Sequence, residues 1–237
     1  MNTSLDPVGG SRVARLWREW RAFVLFLAIM LVFRSAIADW NQVPTGSMIP
    51  SILEGDRIVV DKMAYDLRVP FTFYRIARFG DPERSDVITF ESPVDGKLLV
   101  KRVIGIPDDK VELRHNHLYI NDQPAHYAPV AQAALPGAIG DILPYTEVSE
   151  ESLLGSSRTV MLHRRRASQS ADSFGPILVP ANHYLVLGDN RDNSQDYRFI
   201  GFVSRDLILG KANSIAFSLD YENYYAPRTD RFFRDLR

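Results

Sequence analysis

Leu98-Leu99-Val100-Lys101-Arg102-Val103-Ile104-Gly105-Ile106-Pro107 decides the fold class. A short, mostly apolar run stops at Gly105 and Pro107, which is how a strand bounded by turn residues reads. Working outward, runs of the same kind lie at 57–60, 86–90, 110–113, 118–120, 184–187 and 207–216. No long stretch after Asp39 keeps helical periodicity, so the body is expected to be mainly β, an antiparallel sheet. The runs flanking His115 and Asn116 predict a tight hairpin. Between 121 and 180 the pattern loosens into Ala, Pro, Gly and Ser. That segment is expected to be a less regular β subdomain inserted into a β domain formed by 39–120 and 181–237.

Within the opening stretch Lys101 is the anomaly. Of 28 basic residues only Lys62, Lys97, Lys101, Lys110 and Lys211 are lysine. Arginine is effectively never deprotonated, whereas a buried lysine loses its proton near neutral pH. Strand alternation places Leu99, Lys101 and Val103 on one face. Two readings follow: a strand-edge lysine whose amine snorkels to water, or a desolvated amine that serves as a base.

A base needs a nucleophile. Ser47 lies in Pro44-Thr45-Gly46-Ser47-Met48-Ile49-Pro50, where two prolines and a glycine make a loop free to expose a hydroxyl. Most such serines are turn residues, and a serine becomes a useful nucleophile only beside a base. The five histidines, at 115, 117, 126, 163 and 183, lie in the hairpin and the insertion or just before a strand, and no G-x-S-x-G elbow surrounds Ser47. The run Gly188-Asp189-Asn190-Arg191-Asp192-Asn193-Ser194-Gln195-Asp196-Tyr197-Arg198 reads as a tightly hydrogen-bonded loop, since arginine at 191 breaks the calcium-loop spacing.

The chain has 237 residues, a net charge of -1 and no cysteine. That excludes disulfides and thiolate metal sites, and gives no global field for nucleic acid. The cluster Arg164, Arg165 and Arg166 lacks interleaved aromatics and reads as solvated surface.

Ala22 to Phe33 is an apolar run, extended by Arg34, Ser35, Ala36, Ile37 and Ala38 and framed by Trp20 and Trp40. The expectation is a transmembrane helix over 22–38, with Arg34 reaching the interface. Arg12, Arg15, Arg18 and Arg21 place the basic segment 1–21 in the cytoplasm by the positive-inside rule. The competing reading is a cleaved secretory signal ending in Ala36-Ile37-Ala38. A further apolar stretch, Phe71, Phe73, Tyr74, Ile76 and Phe79, reads as core or as a surface dipping into lipid.

Four clusters, the Ser47 loop, Gly55-Asp56-Arg57-Ile58-Val59-Val60-Asp61-Lys62, the Lys101 stretch and the 188–198 loop, resemble in this order bacterial type I signal peptidase. The resemblance implies a membrane-bound serine endopeptidase of the bacterial inner membrane, its catalytic domain on the periplasmic side, that removes signal peptides from preproteins after Ala-x-Ala. It implies Ser47 as nucleophile, Lys101 as general base, Thr45 and the Ser47 amide as oxyanion hole, and Ser194 as the group orienting the lysine. Asp196 and Arg198 would brace the loop. Pro44, Met48, Ile52, Leu99 and Val100 would line the substrate pockets. No cofactor, metal or nucleic acid is implied; the partners are preproteins and the lipid bilayer. Two positions depart from the pattern: Tyr197 stands where the family commonly has serine, and Asp108 where it commonly has glycine.

Overall fold

The computed structural model describes residues 12–72, 74–163 and 172–236. Phe73, the arginines at 164–166 and residues 1–11 lie outside the described residues. Among the described residues helix α1 (Arg12–Ala36) precedes eighteen strands. They are β1 (Ala38–Gln42), β2 (Asp56–Asp61), β3 (Asp66–Arg68), β4 (Arg75–Arg78), β5 (Val87–Glu91), β6 (Leu98–Gly105), β7 (Lys110–Arg114), β8 (His117–Ile120) and β9 (Gln123–Pro124). There follow β10 (His126–Pro129), β11 (Thr146–Leu153), β12 (Ser156–His163), β13 (Phe174–Leu178), β14 (His183–Leu187), β15 (Val203–Ser204), β16 (Ile208–Asp220), β17 (Ala226–Pro227) and β18 (Arg234–Asp235). A single-turn helix, α2 (Tyr197–Ile200), lies between β14 and β15.

The principal sheet runs β1-β2-β16-β5-β6-β14-β15, with β17 and β18 also pairing with β16. Its named strand pairs are antiparallel, as the sequence predicts. Strands β13-β7-β8-β9 form a second sheet and β10-β11-β12 a third. The β7–β8 hairpin turns at His115 and Asn116, whose φ values of 48° and 65° are those of a primed two-residue turn. Asp108, standing where glycine is common, also has positive φ, at 70°; aspartate is among the few side chains that tolerate that region.

One apolar cluster joins Val43, Met48, Ile52, Ile58, Val60, Val87, Ala212 and Ile215 beneath the Ser47 loop. A second, around Ile88, Phe90, Val103, Tyr184, Val186 and Ile208, lies against the sheet. Together they make β6 a central strand over its second half: Leu98 is exposed, Leu99 and Val100 are half-buried, and Lys101 to Gly105 are buried.

The N-terminal expectation needs correcting. The helix stops at Ala36, and Ala38 pairs with Asp61 in the β1–β2 ladder instead of extending the helix. Among the described residues no helix is long and apolar enough to cross a membrane. Arg18, Glu19, Arg21 and Arg34 bracket the apolar run closely; twelve residues at 1.5 Å each cover about 18 Å, short of a hydrocarbon core of about 30 Å. Arg34 is paired with Asp39 at 2.9 Å, and Lys62 donates to the carbonyls of Arg34 and Ser35 at the helix end, where a cation suits the helix dipole. Phe71, Tyr74, Ile76 and Phe79 are exposed, which excludes the core reading for these four.

Candidate active site

Ser47 sits in a single 3-10 turn, Gly46–Met48, between β1 and β2. Met48 and Ile52 anchor it by full burial in the core beneath; in this conformation neither offers surface to a ligand. Pro44 and Thr45 are exposed at the entrance, and the Thr45 side chain makes no capping hydrogen bond. Leu99 and Val100 lie half-buried on β6 beside Lys101.

The turn brings the serine hydroxyl to Lys101. The Lys101 Nζ donates to Ser47 Oγ at 2.6 Å and to the Val100 carbonyl at 3.1 Å. Lysines 62, 97, 110 and 211 each pair with an aspartate, at 3.3, 2.7, 2.5 and 2.5 Å. Among the described residues Lys101 has only neutral oxygens as hydrogen-bond partners. With 3% of its surface exposed, burial drives its pKa down from 10.5 to about 8, against the weaker upward pull of Asp196 and Asp189. Desolvation disfavours the ammonium, so the fraction of neutral amine able to accept a proton rises well above that of an ordinary lysine.

The 188–198 loop closes the site from the other side, and its carboxylates are engaged by protein donors. Asp189 takes two hydrogen bonds from buried Arg102, at 2.8 and 2.7 Å. Asp192 accepts from Asn116 Nδ2 and the His163 amide. Asp196 holds Arg198 through two bonds of 2.8 Å and also accepts the Gly188 amide. Tyr197, the other departure, packs between the rings of Phe174 and Phe202 at 5.1 and 4.8 Å.

Ser194 is placed differently from the expectation. Its Oγ is buried with no hydrogen-bond partner among the described residues, and the Lys101 amine directs its bonds to Ser47 and Val100 instead. The hydroxyl lies against Gly188, where a Cβ would meet it at 2.3 Å and the Ser47 carbonyl at 2.5 Å. Gly188 is therefore required by close packing at the site.

Two further residues touch this arrangement and had no role assigned from sequence. Asn190 donates from its amide nitrogen to the Gly46 carbonyl at 2.9 Å and from its backbone to the Ser47 carbonyl at 3.1 Å. Glu151 on β11 pairs with Arg191 at 2.7 Å. Glu151 lies in the segment expected to be an irregular insertion, and the tertiary fold buries it completely.

The fold and site define a class: an antiparallel β protein in which a buried, carboxylate-free lysine amine holds a serine hydroxyl. A family model described as "Signal peptidase, peptidase S26" matches residues 16–217. Signal peptidase I of Pseudomonas fluorescens is 35% identical over 207 residues, 82% of this chain and 70% of that protein. Signal peptidase I of Pseudomonas aeruginosa is 32% identical with the same coverage. A solved signal peptidase I from Enterococcus faecalis V583 is 30% identical, covering 56% of this chain and 97% of that one, at a TM-score of 0.34, too low to bear on the fold. The chain belongs to the signal peptidase family, peptidase S26, and is a serine-type peptidase.

Proposed function

We propose that this protein is an endopeptidase that removes N-terminal signal peptides from exported preproteins, cleaving after the small residues of an Ala-x-Ala motif. Ser47 Oγ attacks the scissile carbonyl while Lys101 Nζ takes its proton. The lysine then returns the proton to the leaving amine, and water releases the acyl group from Ser47 with Lys101 again as base. Thr45 Oγ and the Ser47 amide supply the oxyanion donors, each worth about 3 kcal/mol in comparable enzymes. The Val100 carbonyl, 3.1 Å from Lys101 Nζ, orients the lysine in this conformation, and Asp196 with Arg198 braces the loop that carries Ser194.

The observation that carries this reading is the 2.6 Å bond between a buried Lys101 amine and Ser47 Oγ. Substrate entry is supported by β6: its ladder with β14 ends at Arg102, leaving Leu98 to Lys101 paired only with β5 among the described strands. An extended peptide added there meets Pro44, Leu99 and Val100, with Met48 and Ile52 setting the floor below. Assaying preprotein cleavage in detergent by Ser47→Ala and Lys101→Ala tests the pair; each is expected to lose at least about a hundredfold in kcat. Near-normal turnover by either variant removes the dyad.

The enzyme is then placed at the bacterial cytoplasmic membrane, with residues 1–21 cytoplasmic and the β body, 39–120 with 181–237, beyond it, a crossing in which local thinning of the bilayer and snorkelling of the flanking Arg21 and Arg34 make up for the short apolar run of α1. The segment 121–180 is then an insertion into that body. Phe23, Leu25, Phe26, Ile29 and Leu31 of α1 are all exposed, an apolar surface that lipid covers. Alkaline carbonate extraction of cell membranes tests this: the protein is expected in the pellet, and full release into the supernatant contradicts it.

A further inference from the structure

Glu151 is wholly buried on β11, and the chemistry above gives it no part. Its Oε1 accepts from Arg158 Nε and Arg191 Nη2, both at 2.7 Å, and its Oε2 accepts from the Tyr127 hydroxyl at 2.6 Å. Arg158 is local, standing opposite Glu151 in the β11–β12 ladder. Arg191 belongs to the loop that carries Ser194. A carboxylate taken out of water needs such partners, and two guanidinium groups converging on one oxygen make it a fixed point.

Backbone direction connects that fixed point to the nucleophile. Met161 of β12 donates its N–H to the Asp189 carbonyl at 2.8 Å and accepts from the Arg191 N–H at 2.9 Å, a parallel bridge that spans Asn190. In extended chain the groups of the flanking residues point one way and those of the middle residue the other. Asn190 accordingly sends its N–H to the Ser47 carbonyl and its side-chain amide to the Gly46 carbonyl. The inserted strands grip one side of the loop, and the other side grips the serine turn.

We propose that Glu151 and Asn190 are positioning residues: Glu151 fixes residues 189–191 through Arg191, and Asn190 sets the turn that aims the Ser47 hydroxyl. This rests on Ser47 being the nucleophile, and it gives β11 and β12 the function of a brace behind the site.

The test compares kcat and KM of the full chain in detergent on a preprotein for Glu151→Gln, Asn190→Ala and the double variant, with Ser47→Ala as the blank. Each single variant is expected to lower kcat by about 10- to 100-fold, the scale of a nucleophile displaced by about an ångström, with KM held within about twofold. Because both act along one path, the double variant is expected to be no slower than the slower single. Wild-type kcat in folded Asn190→Ala overturns the proposal, as does a change confined to KM or losses that multiply in the double variant. If Glu151→Gln does not fold, Asn190→Ala decides the positioning of Ser47 and Arg191→Lys decides the brace: kcat lowered as above supports it, and wild-type kcat overturns it. Full turnover by the Ser47→Ala blank would instead remove the nucleophile itself.

Discussion

Lys101 shows how one environment changes a residue's chemistry. A lysine of pKa 10.5 is neutral in about one molecule in three thousand at pH 7, while one near 8 is neutral in about one in ten. Among the described residues no carboxylate is a hydrogen-bond partner of the amine, so burial decides the shift. Gly188 has an equally local role, since a Cβ there would press on the Ser47 carbonyl, a backbone atom that can yield only by moving the turn. Gly188→Ala is expected to lower kcat at least about tenfold in the cleavage assay; wild-type turnover would show that the turn tolerates the displacement. Lys101 was legible as a misfit in an apolar strand, but its partner was not. A serine in a proline-bounded loop resembles many turn serines, and only the resemblance to a known family joined the two residues.

At the scale of elements, the strands were readable because β-branched runs end at Gly, Pro, Asn and Asp. The end of α1 was not, because Ala36-Ile37-Ala38 is as apolar as the helix before it and pairing with β2 decides where the strand begins. The same pairing engages the Ala38 backbone with β2. The C-terminal segment is tied to β2 by Arg231 and Asp56, both fully buried, bonded at 3.1 and 2.6 Å. Removing one member of such a pair leaves a stranded charge, so Arg231→Ala is expected to cost about 3–5 kcal/mol in denaturant unfolding. A cost below about 1 kcal/mol would mean that the pair only decorates the fold.

Across the whole molecule, buried ion pairs link segments far apart in sequence: Arg102 with Asp189, Arg205 with Asp66, and Arg191 with Glu151. Sequence could not disclose them, since each partner is a charged residue of ordinary surface type until the fold encloses it. They also set a pH limit. Burial raises the Glu151 carboxyl, and Arg191 and Arg158 outweigh it, lowering its pKa from 4.5 to about 2. A lowered folded-state pKa gives stability that is present above about pH 4.5 and lost as pH falls toward 2. Thermal melting over that range is expected to fall more steeply for the wild type than for Glu151→Gln; parallel curves would exclude Glu151 as the source. The pairing of Ser47 with a desolvated lysine is tested most directly by the single-turnover rate of Ser47 acylation from pH 5 to 11. The rate is predicted to rise about tenfold per pH unit and to level off near pH 8. A flat profile, or a bend near the ordinary lysine value of 10.5, would contradict it.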